Sequence, residues 1–369
     1  MPFERATELL EDMQGIRVSP AMSRRSSEAA GAVYVEMQTK EVERLEKELP
    51  LAPKGAEKMQ MSADGAMVPL LHGQWAEVRT LVVGEVQRPV EERGEWVVHT
   101  RNLSYFSRKI SSEQFERLAL VEIQRRGIEN AGQVASVMDG SDWLQSLTDY
   151  HRPDAVRILD FPHAGEHISQ VGEFLYGEDT PQAQEWLKER LHRLKHEGPE
   201  SLFMELHQLQ SQYSDAQEIS GNLAYLKKRE PQIQYPRFQA AGWPIGSGIV
   251  ESGNKLVVEV RLKGSGMHWA EPHVNSMLAL RNIVCSRRWK EDWPKVETGL
   301  RQQAVQRRMD LHNSRKSPAP VSPSTSAMIS APVIPTPTIS KKLKDPKDNP
   351  WRKFKFGRAL YQRNYPPKK

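Results

Sequence analysis

Of 369 residues only Cys285 is a cysteine, which excludes an internal disulfide and any Cys-rich zinc site built from this chain alone. A reducing cytoplasm suits that composition. Long apolar runs are missing too. None approaches the roughly 18 residues that a membrane span needs, and Met1 to Ser19 lack the basic start, apolar stretch and small-residue cleavage site of a secretory signal. No Gly-x-x-x-x-Gly-Lys-Ser loop occurs, so no ATP dependence is expected. Aromatic residues, 7% of the chain, are dispersed rather than gathered into a sugar-stacking cleft, which argues against a carboxylate-pair glycosidase. What remains is a soluble, cytoplasmic protein with no membrane partner, long enough for one domain of roughly 200 to 250 residues with arms.

Charge is scarce in one place and crowded in another. Residues 316–340 hold six prolines and a single charge, Lys316, and read as a linker that cannot bury a core. From Lys341 to Lys369 there are eleven Lys or Arg against two Asp, a net +9; with a total of +5, the rest of the chain carries −4. Trp351, Phe354, Phe356, Tyr361 and Tyr365 lie among these cations. Such a segment suits phosphate neutralisation with stacking side chains, or simply a disordered, solvated tail.

The chain divides into three parts. Residues 1–50 show a helix over Ala6 to Met13, Gly15, and a second helix opened by Ser19-Pro20, followed by a charged connecting helix from Glu36 to Leu49. Helix, short turn and helix is the layout of a DNA-reading unit, with Arg24 and Arg25 on its second helix. Residues 55–313 begin with strand-like alternation, Met59, Met61 and Ala63, up to Asp64-Gly65. Strands at Trp75 to Val86 and Glu95 to Leu103 complete a meander. A helix from Ser111 to Arg126, a buried strand from Gln133 to Met138 ending at Asp139-Gly140, a helix from Trp143 to Tyr150 and a fifth strand from Ala155 to Leu159 ending at Asp160 follow. From about 170 to 230 the pattern is helical throughout. A further helix is expected at Ile249-Val250-Glu251, and the rest, from about His273 to His312, is helical. Residues 314–369 are the linker and tail.

Two aspartates, Asp64 and Asp139, each fall where a predicted strand ends and a glycine follows. Neighbouring strand ends lie about 4.8 Å apart, so two such carboxylates can share a cation. Glu251, from a helix, completes a set able to hold two Mg²⁺ (or Mn²⁺) ions roughly 3.5 to 4 Å apart for in-line displacement at phosphorus, with no protein nucleophile. Taken singly, an Asp-Gly is usually a turn.

The motifs Ser62-Ala63-Asp64-Gly65, Val134-Ala135-Ser136-Val137-Met138-Asp139-Gly140, Leu159-Asp160-Phe161-Pro162-His163-Ala164 and Gly246-Ser247-Gly248-Ile249-Val250-Glu251-Ser252 resemble those of bacterial insertion-sequence transposases of the ISKra type, themselves similar in layout to Mutator-like transposases. The resemblance implies an α/β, ribonuclease-H-like core, a mixed five-stranded sheet with flanking helices, interrupted by an α-helical insertion before the catalytic Glu. It implies Asp64, Asp139 and Glu251 as the catalytic and metal-binding triad, with Asp160 and His163 as auxiliary groups in a Cys-or-Asp, two residues, His motif. Asp160 competes with Asp139 for the second place in the triad. Placement on the fourth strand, beside the first, favours Asp139; Asp142 fits better as a helix cap. Lys255, one turn after Glu251, and Arg261, Lys263 and Trp269 are candidate DNA contacts, though an i, i+4 ion pair and a core position account equally for Lys255 and Trp269.

The implied activity is metal-dependent cleavage and strand transfer of double-stranded DNA, transposon ends and target, by a homodimer or higher multimer associated with the bacterial nucleoid. Members of the group usually carry a longer region ahead of the helix pair, so the resemblance also implies a truncated recognition segment. The alternative from another class is a catalytically decayed relative that keeps DNA binding.

Overall fold

Leu9, Leu10 and Met13 recur at helical spacing and lie on α1 (Phe3–Gln14), which ends at Gly15 with φ of 67°, the left-handed position that glycine favours. Ser19 opens α2 by accepting a hydrogen bond from Met22 N at 3.2 Å. From there α2 runs unbroken over Pro20–Glu48, so the separate connecting helix expected at Glu36 does not exist. No glycine or proline interrupts residues 32–48 to end it. Ala30, Val33 and Tyr34 pack with Ala279, Ile283 and Val296, which makes the middle of α2 part of a core. The computed structural model describes residues 2–92 and 94–316, with side chains as far as Asn313. Residues 1–313 form one unit. The proline-rich linker and basic aromatic tail expected beyond it lie outside the described residues, save the last turn of the final helix.

The first strand overruns its expected end. β1 covers Lys58–Pro69 and carries Asp64-Gly65 in its middle, with Asp64 opposite Thr80 and Gly65 opposite Arg79 on β2 (Trp75–Val86). The reversal comes later, at residues 70–74. The third strand of the meander is also redrawn: Val90–Glu92 and Glu95–Val97 form a separate hairpin, β3 and β4, and the sheet strand proper is β5 (Thr100–Arg108). β6 (Gln133–Met138) and β7 (Val156–Leu159) complete a five-stranded sheet in the order β5-β2-β1-β6-β7. β1, β2 and β5 pair antiparallel, whereas β6 is parallel to β1 and β7 to β6. The sheet is mixed, and its parallel half is buried as its apolar sequence requires.

Helices cover both faces. α3 (Ser112–Arg125), capped by Ser111, and α4 (Asp142–His151) place Phe115, Ile123, Leu144 and Leu147 against Met59, Met61, Ala63 and Val134. On the opposite face lies a helical series: α5 (Phe161–Tyr176), α6 (Pro181–His196), α7 (Glu200–Gln212), α8 (Gln217–Lys228) and α9 (Tyr235–Ala240). Its apolar side chains, among them Ile168, Trp186, Leu206 and Leu223, bury Ala135, Val137, Ile158 and Leu159. α10 (Gly248–Gly253) continues into a π-helical stretch at Asn254–Glu259 and the short α11 (Val260–Leu262). A π turn widens the helix by one residue and is often found at functional sites. α12 (Glu271–Cys285) and α13 (Trp289–Lys316) end the described chain, broken at residues 286–288 where a single helical run was expected. The result is an α/β fold with a five-stranded mixed sheet flanked by helices.

α13 is held by a half-buried ion pair. Arg125 donates to both oxygens of Asp292 at 2.9 and 3.1 Å, and Tyr34 Oη donates to Oδ2 at 2.8 Å.

Candidate active site

Register sets which carboxylates lie on neighbouring strands. Met61 lies opposite Ser136, the last pair of the parallel β1-β6 ladder, so Asp64 and Asp139 each lie three residues beyond it. In β6-β7, Met138 lies opposite Leu159, and one residue further Asp139 is level with Asp160. Asp64, Asp139 and Asp160 thus lie on, or just past the end of, three neighbouring strands, which stand about 4.8 Å apart where they pair. Side-chain alternation puts Asp64 on the same face as Ala66 and Val68, which pack with Val250 and Val257 from the helix that bears Glu251. That helix can lie close because residue 253 is glycine: a Cβ there would come within 2.8 Å of Val82 and 3.2 Å of the Tyr105 ring.

Asp64 is half-buried. Its Oδ1 accepts the Gly65 amide at 2.6 Å, and its Oδ2 accepts Asn254 Nδ2 at 2.9 Å. Burial, above all, raises its pKa from the ordinary carboxylate value; the two hydrogen bonds oppose this, and the negative charges of Asp139 and Glu251 add to it. Both other members of the expected triad therefore act electrostatically on Asp64. Asp139 Oδ1 accepts the Ser141 amide at 2.7 Å, and Glu251 is exposed.

Asp160 is placed differently. Only 6% exposed, it takes the Ser247 amide on Oδ1 at 2.6 Å, while the Phe161 amide donates to Ile245 O at 3.0 Å. These bonds fasten the loop that leads into α10. Burial raises the Asp160 pKa, hydrogen bonds from Ser247 and His163 counter it, and Glu251 adds to the rise. In this arrangement the charges of Asp139 and Glu251 act on Asp64, and Asp160 anchors the segment that carries Glu251.

Next to Asp139, on the side of α8, lies a second group. His163 Nε2 is 3.1 Å from Tyr225 Oη and its Nδ1 is 3.1 Å from Glu166 Oε2. His167 stacks on the Tyr225 ring at 3.7 Å, and the Arg229 guanidinium lies 3.7 Å from the same ring. Arg229 also donates to Gly140 O, with its Nε at 3.1 Å. Gly140 has a steric purpose here, since a Cβ would meet Arg229 Nε at 1.9 Å and Tyr225 Oη at 2.4 Å. Asp142 starts α4 after the Ser141 cap position and stands 3.5 Å from Lys228 Nζ, both side chains exposed.

The candidate DNA contacts separate into two groups. Arg24, Arg25 and Lys255 are exposed, and Lys263 is partly so, paired with Glu259 at 2.9 Å. Arg261 and Trp269 are interior, each 8% exposed. The Arg261 guanidinium lies 4.7 Å from the Phe3 ring and 5.1 Å from that of Trp269, whose Nε1 donates to Leu262 O at 3.2 Å. A base cannot stack on an indole so enclosed, and Arg261 packs between two rings instead of facing a phosphate.

Among the described residues no three Asp, Glu, His or Cys side chains stand close enough together, as placed, to hold a metal ion. The aspartates are engaged with local amides. The available donors are nevertheless all hard oxygens, and Asn254 Oδ1 is a buried acceptor without a hydrogen-bond partner on the amide whose other end holds Asp64. Carboxylates with an orphaned amide oxygen are a donor set suited to Mg²⁺ or Mn²⁺ and unsuited to soft metals. Asn254, Tyr225 and Arg229 were not singled out by sequence reasoning. Asn254 alone carried a usable signal, since it lies three residues after Glu251 and so on the same helical face. No protein-family model matches the chain, and no curated protein matches it.

Proposed function

We propose that this protein is a transposase of the Asp/Asp/Glu class, cutting and joining DNA from a ribonuclease-H-like core. The observation that carries the reading is the placement of Asp64 and Asp139 three residues past the last β1-β6 pair, with the charges of Asp139 and Glu251 acting on Asp64 and the Glu251 helix packed on the same sheet face. The order of the sheet, with the fourth sheet strand beside the first, agrees with that core, as does a helical series between the second Asp and the Glu. The four motifs that resemble the ISKra-type transposases supply the remaining support.

Asp64, Asp139 and Glu251 are the residues that would hold the divalent cations. When bound, Mg²⁺ or Mn²⁺ supplies Lewis acidity that makes water or a 3′-hydroxyl a stronger nucleophile and offsets charge on the departing oxygen. The charge of Asp139 raises the pKa of Asp64, and to share a cation the two carboxylates would turn from the Gly65 and Ser141 amides that they now accept. Asn254 orients Asp64, and Asp160 fixes the loop before Glu251. In the first reaction water adds to phosphorus and the P–O3′ bond breaks, leaving a 3′-hydroxyl and a 5′-phosphate. In the second, that 3′-hydroxyl adds to a target phosphodiester, whose own 3′ oxygen departs with a proton. The substrates are double-stranded DNA ends and target DNA, held by two or more copies of the chain in the bacterial cytoplasm.

The test is cleavage of end-labelled DNA taken from either side of the protein's own coding sequence, with Mg²⁺ or Mn²⁺. Cleavage by the parent, lost in Asp64→Asn, Asp139→Asn and Glu251→Gln while DNA binding persists, is the expected result. Binding without cleavage by the parent would instead identify a decayed, DNA-binding relative.

A further inference from the structure

Beside Asp139 an open pocket of about 660 Å³ lies between the end of β6, the start of α5 and the last turn of α8. Asp139, Ser141, His163, Tyr225, Lys228 and Arg229 are among the residues that line it. Its chemistry is that of an anion site with one face toward the carboxylates. Tyr225 Oη lies 3.1 Å from His163 Nε2, and with that nitrogen as the N–H donor the phenol proton is left for a ligand; its ring is fixed between His167 and Arg229, both at 3.7 Å. Arg229 holds its charge beneath the ring, tied to Gly140 O, and is too buried to reach a ligand itself. Lys228 is different. Its side chain is 69% exposed and its one ion pair among the described residues, to a 90% exposed Asp142, is long at 3.5 Å. An exposed pair of this kind is worth little and yields readily to a better anion.

We infer that this pocket is a phosphate-binding subsite, in which Tyr225 Oη and Lys228 Nζ hold the non-bridging oxygens of a DNA phosphodiester next to the one being cleaved. The inference rests on the reading of Asp139 as part of a DNA-cleaving centre, and it deepens that reading by giving the helical series a direct part in the substrate site. The phosphodiester is the ligand the setting favours. The pocket adjoins Asp139, the carboxylate that the proposed function places at the scissile phosphate, and offers a hydroxyl and a displaceable ammonium. The Gly140-Arg229 contact explains how the site is kept in place: the Arg229 side chain, just past the end of α8, donates to the carbonyl of the residue after Asp139, which ties that end of α8 to the Asp139 turn. Tyr225 and Lys228 bind and position the strand; they take no part in bond making.

The experiment uses the full chain and a labelled duplex of the flanking DNA in which single phosphates near the cleavage point are replaced, one at a time, by uncharged methylphosphonates. Affinity is read by fluorescence anisotropy at several salt concentrations. The parent is expected to lose roughly tenfold in affinity when one particular phosphate is neutralised, as for loss of a charge-assisted contact. In Lys228→Ala that position-specific penalty is expected to shrink to near onefold, and the slope of log Kd against log salt to fall by about 1. Tyr225→Phe keeps the ring and its stacking partners, so the protein stays folded; it is expected to reduce the same penalty at the same position and at no other. Unchanged penalties at every position in both variants, with cleavage intact, would overturn the subsite and leave the proposed function standing. No binding of the flanking duplex by the parent at any salt would overturn both.

Discussion

Asn254 Nδ2 donates to Asp64 Oδ2 at 2.9 Å, joining the helix that bears Glu251 to the middle of the central strand. Asn254 is 6% exposed, and its Oδ1 has no hydrogen-bond partner. A carboxylate that must meet a cation is aimed by groups of this kind, and their removal typically costs 10- to 100-fold in metal affinity or activity. Asn254→Ala should therefore lower Mn²⁺ affinity by about tenfold or more without loss of secondary structure. Isothermal titration with Mn²⁺, set beside circular dichroism, checks this; unchanged affinity would reduce Asn254 to a packing residue.

Asp139 and Asp160 lie just past the ends of neighbouring strands but should fail differently. Asp139→Ala removes a half-exposed carboxylate and should leave the melting temperature within a few degrees of the parent while abolishing cleavage. Asp160→Ala strands the buried Ser247 amide, a loss of about 1 to 3 kcal/mol, and should lower the melting temperature by several degrees. A thermal melt of both variants separates them. The reverse pattern would exchange their roles.

Gly140→Ala should be costly although it adds one methyl group. The new Cβ would lie 1.9 Å from Arg229 Nε, so α8 has to move or the guanidinium has to give up Gly140 O. Overpacking of this kind costs about 1 to 3 kcal/mol. Hydrogen exchange should show faster opening of α8 than of α3, which lies on the other face; equal protection in the parent and variant would show that the latch bears no load.

Stability should fall with acid through His151. Burial, the main cause, pushes its pKa down to about 4 against the pull of its hydrogen bond with Glu116 O at 2.8 Å. The unfolded chain takes up this proton near pH 6.5, and the folded one does so only near 4. Between those values the unfolded state binds more protons, so stability drops as pH falls from about 6.5 to about 4, by roughly 3 kcal/mol. Asp292 works in a lower window. Burial pushes its pKa up, but the Arg125 and Tyr34 hydrogen bonds and the Arg125 charge outweigh that and hold it below the usual range, so its contribution survives down to the ordinary carboxylate pKa and is lost below it. Urea melts of the parent and His151→Gln at pH 7, 5.5 and 4.5 test the first window: the variant should show a flatter pH dependence, and parallel curves would exclude His151 as the cause.

Much of this arrangement could be read from local pattern. The buried strand Gln133–Met138, the second strand Trp75–Val86 and the Ser19 cap follow from apolar runs and a capping residue that act within a few positions. Where reading stopped, the cause was distant. Asp64-Gly65 has the composition of a turn, yet β2 pairs across it as far as Pro69 opposite Trp75, and a ladder on the neighbouring strand overrides local preference. Tyr225 and Arg229 reach the site only because α8 docks on Gly140, a contact across 89 positions for which no periodicity gives warning. Trp269 looked equally suited to stacking and to burial, and only packing against Leu262 and Arg261 decides for burial.

The central claim is that Asp64 and Asp139, with Glu251, hold the cations for DNA cleavage. Its most direct test is Mn²⁺ binding followed by the loss of the free-ion electron paramagnetic resonance signal, in the parent and in Asp64→Asn, Asp139→Asn, Glu251→Gln and Asp142→Asn. Binding by the parent and by Asp142→Asn, weakened by about tenfold or more in each of the other three, is the predicted result; binding that is absent in the parent, or equal in all five proteins, would contradict the account.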